Sequence, residues 1–128
     1  MPINFHPKPA QVLICNFNTG FVPPEMVKAR RVIVLSPYQF NKRGICTILP
    51  LSTTKPNKIE DFHFVIGAGK YSFLSKDKDI WVKADMITTI SIARLDRIRV
   101  GNSFLSPSVN AEDFKEIRRC VRNYLDIH

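Results

Sequence analysis

Two runs of β-branched and aliphatic residues, each closed by a proline, constrain this chain more than any other feature. Arg31 to Ser36 (RVIVLS) ends at Pro37, and Ile45 to Leu49 (ICTIL) ends at Pro50. β-Branched side chains pack well on a pleated surface, and proline ends a ladder by withholding a backbone donor. With Asn41-Lys42-Arg43-Gly44 as a turn between them, the two runs predict an antiparallel hairpin.

The rest of the chain arranges itself around that hairpin. Met1 to Pro9, with three prolines, reads as an extended arm. Gln11 to Phe17 reads as a buried strand, because its apolar residues run on rather than alternate. Gly20 and Pro23-Pro24 make 18–28 a loop, and the polar, basic stretch 52–59 is another. Phe62 to Ile66 is a short strand, Gly67-Ala68-Gly69 a turn, and Tyr71 to Leu74 a further short piece. Ile80 to Ile92 reads as one long strand. Its even positions Ile80, Val82, Ala84, Met86, Ile90 and Ile92 are apolar, Thr88 excepted, which puts Trp81, Lys83 and Asp85 together on the other face. A last strand spans Asp96 to Val100.

Residues 110–127 are helical: Asn110 can cap, and Glu112 and Asp113 face the macrodipole. Phe114, Ile117, Val121, Tyr124 and Leu125 recur at helical spacing, with Cys120 beside them. The expected architecture is one α+β domain over residues 1–128, a small, strongly bent, barrel-like antiparallel sheet with a C-terminal helix.

Charge points to a partner. The formal net charge is +8 and the pI about 9.7, which favours a polyanion such as nucleic acid, an acidic protein or an anionic surface. From Met26 to Ile59 there is no acidic residue, while Lys28, Arg30, Arg31, Lys42, Arg43, Lys55 and Lys58 all fall there, with Tyr38 and Phe40 interleaved. Such a segment suits phosphate contacts and base stacking. A solvated, solubilising face is the competing account. The cysteines, Cys15, Cys46 and Cys120, lie in apolar surroundings and without metal-ligand spacing, so buried thiols in a reducing cytosol are expected, with no cofactor or metal. No apolar leader or membrane-length run occurs, so the expected location is cytoplasmic.

Several motifs fail. Gly67-Ala68-Gly69-Lys70 lacks the spacing and the following Ser or Thr of a phosphate-binding P-loop. His6, His63 and His128 sit in no arrangement that would pair them with a nucleophile. Two stretches are better candidates: Glu25 to Ser36, where a carboxylate precedes Lys28, Arg30 and Arg31 at the mouth of a buried strand, and the hydroxyl-rich Pro50-Leu51-Ser52-Thr53-Thr54. If the hairpin forms, cation, carboxylate and hydroxyls converge, a set suited to RNA cleavage by its own 2′-OH without metal. A plain salt bridge between Glu25 and an arginine is equally compatible with the spacing.

Taken in order, Glu25…Arg30-Arg31-Val-Ile-Val-Leu-Ser-Pro37, Gly44-Ile-Cys-Thr-Ile-Leu-Pro50, Leu51-Ser52-Thr53, Trp81-Val-Lys83-Ala-Asp85-Met-Ile-Thr-Thr-Ile-Ser and Arg94-Leu-Asp-Arg97-Ile resemble the MazF/PemK (Kid) toxins of type II toxin–antitoxin systems. The resemblance spans Val12 to Leu125. It implies an SH3-like barrel, a homodimer, sequence-specific and metal-independent cleavage of single-stranded RNA, and an acidic cognate antitoxin. By position it implies that Arg30 faces phosphate, that Ser52 is the catalytic hydroxyl, that Glu25 matches an acidic residue supporting activity in some members, and that Lys83 and Asp85 match an Arg/Asp pair that does base, acid or charge-stabilising work. Lys28, Arg31, Lys42, Arg43, Thr53, Lys55, Trp81 and Lys83 are the expected RNA contacts. The sequence departs from the pattern in carrying Arg31 for a proline, Lys83 for an arginine, Ser52 for a threonine and Ala10-Gln11 for Gly-Asp. Related toxins of this fold bind DNA gyrase instead, and an inactive RNA-binding relative is the third possibility.

Overall fold

The computed structural model describes residues 3–25 and 27–127. Three consecutive antiparallel strands form its centre: β1 (Val12–Cys15), β2 (Arg30–Val34) and β3 (Ile45–Ser52), with Val12 opposite Ile33 and Leu49 opposite Ile33 on the other edge. β2 and β3 are the expected hairpin, joined through a single helical turn, α1 (Tyr38–Asn41). Asn41 is fully buried there. Its Nδ2 donates to the carbonyls of Pro7 (2.9 Å) and Ser36 (3.0 Å), and its Oδ1 accepts from Ser36 Oγ at 2.6 Å. One amide thus ties the hairpin tip to the N-terminal arm, which Ile3 N–H also anchors on the Leu95 carbonyl. Met1 and Pro2, the start of the expected arm, lie outside the described residues.

β3 does not stop at Pro50. The strand continues to Ser52, with Pro50 paired to Val32. Proline has no N–H, so this is a non-hydrogen-bonded pair, and the missing donor points toward the other edge of β3. That edge is between partners here: β6 (Thr88–Ser91) pairs it up to Ile48, and β5 (Ile80–Lys83) pairs it from Leu51.

The expected long strand over 80–92 is broken for the same reason. Between the pairs Leu51↔Val82 and Ile48↔Thr88, β3 advances three residues while the other segment advances six. The excess is a 3-10 turn, Ala84–Met86. An odd insertion exchanges the faces of a strand. Ile80, Val82 and Ala84 therefore join one core and Ile90 the other, although all hold even positions.

β4 (His63–Ile66) pairs the outer edge of β5, and β7 (Leu95–Asp96) pairs β1. A second 3-10 turn, Ile92–Arg94, is all that separates β6 on β3 from β7 on β1, so the chain closes a ring round β1, β2 and β3. That closure gives the bent, barrel-like form. Inside it sits one core: Leu13, Cys15, Phe17, Val32, Val34, Cys46, Ile48, Ile90 and Leu95. Burial pushes the thiol of Cys15 up to about 12 and that of Cys46 up to about 11, which keeps both protonated. The other core, around Val12, Ile33, Leu49, Leu51, Val82 and Ile98, packs under α2 (Ala111–Leu125) through Ile117 and Cys120.

Asn110 Oδ1 accepts from Asp113 N–H at 2.7 Å, the expected cap. The apolar stripe outruns the sheet at its end, where Tyr124 and Leu125 are exposed. Two further expectations are corrected. Residues 71–74 form turns, and the strand expected over 96–100 splits at Arg97, where β7 ends and a hairpin of β8 (Ile98–Val100) and β9 (Ser103–Leu105) begins.

Candidate functional site

Side-chain alternation places the candidates. On β2, Val32 and Val34 enter the ring core, so Arg30 continues their face at the open end of the strand. On β3, Cys46 and Ile48 enter the same core, so Pro50 and Ser52 share that face. Continuing the Val32↔Pro50 register by two residues sets Arg30 opposite Ser52, again at a non-hydrogen-bonded position. Such positions hold Cα atoms only about 4.5 Å apart and bring side chains closest.

Arg30 is half-buried, and its Nε is fully enclosed without a hydrogen-bond partner among the described residues. A buried donor left unsatisfied costs about 1–3 kcal/mol, which makes it an anomaly to be explained. Ser52 is buried, and its Oγ accepts from Thr54 N–H at 3.0 Å. That bond fixes the oxygen and leaves its proton free to be donated.

Beside this pair lies a cavity of about 180 Å³ lined by Phe17, Phe21, Glu25, Pro50, Asp85, Met86, Ile87 and Thr88. Two carboxylates 60 positions apart in sequence thus meet in one hollow, next to the strand end that carries Ser52. Glu25 comes from the loop after β1, where its Oε1 accepts from Val22 N–H at 2.6 Å. Asp85 comes from the 3-10 turn after β5 and is exposed. The turn, rather than a strand face, aims it. Lys83 is half-buried on β5, opposite His63 and, one step along the β3 ladder, opposite Pro50.

Not every expected RNA contact gathers here. Lys28, Arg31, Thr53 and Lys55 are exposed on segments flanking the pair, though Arg31 points to the face opposite Arg30. Lys42 and Arg43 precede β3, whose eight residues place them roughly 23 Å from Ser52. Lys42 Nζ lies over the Tyr38 ring at 5.0 Å, and Arg43 Nε donates to the Phe40 carbonyl at 2.9 Å. The acid-free segment therefore splits between two ends of the sheet. Trp81, one of the expected RNA contacts, is only 7% exposed between Ser52 and Val65, so its ring is covered. It backs the Ser52 position instead. The histidines stay outside: His6 packs edge-on to Tyr38, His63 Nδ1 accepts from Glu60 N–H, and His128 lies outside the described residues. No group of three or more His, Cys, Asp or Glu suited to a metal occurs among the described residues, and no described helix is long and apolar enough to cross a membrane.

Sequence reasoning missed Arg94, which binds the loop behind the cavity. Nothing in its local pattern distinguishes it from the other arginines of the C-terminal third.

Comparison with known proteins agrees with this architecture. YifN of Escherichia coli (strain K12) is 34% identical, with the match covering 94% of this chain and 93% of its own. MazF of Deinococcus radiodurans superposes with a TM-score of 0.73 at 19% identity, over 97% of this chain and 100% of its own. A mycobacterial endoribonuclease solved with its cognate antitoxin gives 0.68 at 19% identity, over 95% of this chain and 97% of its own. At such identities the two structures establish the fold. The family model of the PemK-like, MazF-like toxins matches residues 8–125, so the chain belongs to that family of toxins of type II toxin–antitoxin systems.

Proposed function

We propose that this toxin is a metal-independent endoribonuclease acting on single-stranded RNA. The observation that supports it most is the enclosed, partnerless Nε of Arg30 on the face it shares with Ser52, beside a cavity that holds two carboxylates. A phosphate oxygen is an acceptor that this donor lacks, and a guanidinium can hold two such oxygens at once. In this reading Arg30 and the Ser52 hydroxyl meet the charge growing on the nonbridging oxygens. Asp85, which has no hydrogen bond or ion pair among the described residues, takes the 2′-OH proton as that oxygen attacks phosphorus. The bond to the 5′ oxygen of the next nucleotide breaks, and Lys83 supplies the proton that oxygen needs. The products are a 2′,3′-cyclic phosphate and a 5′-OH. Glu25 shapes the cavity wall and helps orient the nucleotide.

The mycobacterial neighbour was solved with its antitoxin. With a net charge of +8, this chain suits an acidic antitoxin covering the same basic face, and it acts as a homodimer. The test is incubation of purified protein with unstructured RNA in excess EDTA, with fragment ends mapped. Discrete cuts leaving a cyclic or 3′-phosphate and a 5′-OH, lost in Arg30→Ala, support the reading. Intact RNA at high protein concentration overturns it and turns attention to a protein target such as DNA gyrase.

A further inference from the structure

We infer that Arg94 is a positioning residue that holds the cavity wall carrying Phe21 and Glu25 in place. This deepens the reading proposed above and rests on it.

Arg94 ends the 3-10 turn that closes the ring between β6 and β7. Its backbone carbonyl accepts from Asn16 N–H at 2.9 Å. Its Nη1 reaches back over the same segment, donating to the carbonyls of Asn16 at 3.0 Å and Thr19 at 2.8 Å. The guanidinium carbon lies 4.8 Å from the centre of the Phe21 ring, and Phe21 in turn meets Phe17 edge-on at 5.0 Å. Both rings line the cavity, and Arg94 does not. Gly20 completes the fit: it adopts φ +83°, and a Cβ there would come within 3.2 Å of Arg94 Nη2. The positive φ favours glycine there, and a Cβ would oblige the guanidinium to give by a few tenths of an ångström.

The loop has little else to hold it. Among the described residues, the other hydrogen bonds of 18–25 stay inside the stretch 16–25: Asn18 N–H to Asn16 Oδ1, Val22 N–H to Glu25 Oε1 and Glu25 N–H to the Val22 carbonyl. These make the loop self-consistent without attaching it to the sheet. Besides the packing of Phe21 on Phe17 and the ring core, the Thr19 carbonyl bond and the guanidinium stacking on Phe21 attach it, and both of these belong to one side chain. Arginine suits the task because one planar group can donate in its plane and stack through its face. Lysine can supply the charge and a donor but no plane. Glu25 then follows mechanically, since its carboxylate is bonded to Val22, the residue after Phe21.

Three measurements test this on the full-length protein. Amide hydrogen exchange compares wild type with Arg94→Ala and Arg94→Lys. Exchange should rise at least tenfold at Asn18, Val22 and Glu25 in Arg94→Ala, less in Arg94→Lys, with the β2–β3 ladder unchanged. Unchanged exchange in the loop sinks the clamp, whatever the protein's activity. Cleavage of RNA is measured alongside: kcat/KM should fall at least tenfold in Arg94→Ala and recover partly in Arg94→Lys. A loosened loop with undiminished cleavage overturns the positioning role. The third is a double-mutant cycle with Phe21→Ala. If Arg94 acts through the wall, Arg94→Ala loses little more in that background, whereas a generally stabilising arginine gives additive losses. Wild-type protein that leaves RNA intact refutes the ribonuclease reading and with it the catalytic half of this inference, while the exchange result still decides whether Arg94 is the clamp.

Discussion

Two clusters in this molecule combine a cation, a carboxylate and a hydroxyl, and the fold treats them in opposite ways. Under the start of α2, the Asp113 carboxylate is buried and accepts from Lys70 Nζ at 2.8–2.9 Å and from Tyr71 Oη at 2.6 Å, while the Tyr71 oxygen accepts from Asn110 N–H at 3.0 Å. Every member has a partner. At the end of β2 and β3, Arg30 Nε is enclosed with none, and Asp85, in the lining of the neighbouring cavity, stands exposed. The same chemical groups are structural where the chain completes their hydrogen bonds, and where it does not they are the ones the proposed function assigns to a ligand. Lys70, at the end of the Gly67-Ala68-Gly69 turn that mimics a phosphate loop, belongs to the completed knot.

Exchanging members of the two clusters should separate activity from stability. The largest effect is expected at Arg30. Arg30→Met keeps the buried stem and removes the enclosed donor, so RNA cleavage should fall on the order of 100-fold or more. Thermal unfolding should show no loss of stability, because an unsatisfied buried donor has gone. A variant that unfolds instead would place Arg30 in the structural class. Asp113→Ala should do the reverse. It strands Tyr71 and Lys70 and should destabilise the fold by about 2 kcal/mol, less than for a fully buried pair because Lys70 is 46% exposed. Cleavage per folded molecule should stay within about twofold, read by denaturant unfolding beside initial rates. A smaller loss of about 1 kcal/mol is expected for Asn110→Ala, which removes the cap on Asp113 N–H without touching the acid.

What the sequence revealed of these clusters follows from the range of the interactions. The β2–β3 hairpin was legible because its signals are local: two β-branched runs, a turn and Pro37 after the first run, although Pro50, read as a stop, lies inside the second strand. It carried Arg30 and Ser52 with it, since pairing two strands in register sets their ends opposite each other. Asp85 was expected on a strand face beside Lys83, and the structure delivers it from a 3-10 turn instead. No local pattern announces that turn, because the three extra residues are demanded by the change of partner along β3. Trp81 was misjudged because alternation says which face a side chain takes and nothing about what covers that face. Lys42 and Arg43 share the acid-free segment with Arg30 but lie at the far end of β3, since charge along a chain says little about charge in space. The completed knot joins residues 42 and 43 positions apart, and Arg94 grips carbonyls 75 and 78 positions away. Those contacts exist only once the distant segments have packed together.

Alkali gives the smallest and most selective test of the comparison. Burial, reinforced by the hydrogen bond to Asp113, pushes the Tyr71 hydroxyl up to about 12, above its ordinary value of 10.0. A group whose folded pKa is raised favours its protonated form in the fold, so the stability it contributes is complete below pH 10 and is lost as pH rises toward 12. Unfolding midpoints should therefore fall with pH across that window in the wild type. In Tyr71→Phe, which keeps the ring and deletes the titrating oxygen, the decline should be shallower from a lower starting stability. Every other contribution to the decline is common to both proteins, so the difference between the two curves isolates Tyr71. Curves that run parallel from pH 9 to 12 would mean that the hydroxyl is not held by Asp113, and the knot would lose its claim to be the satisfied member of the pair.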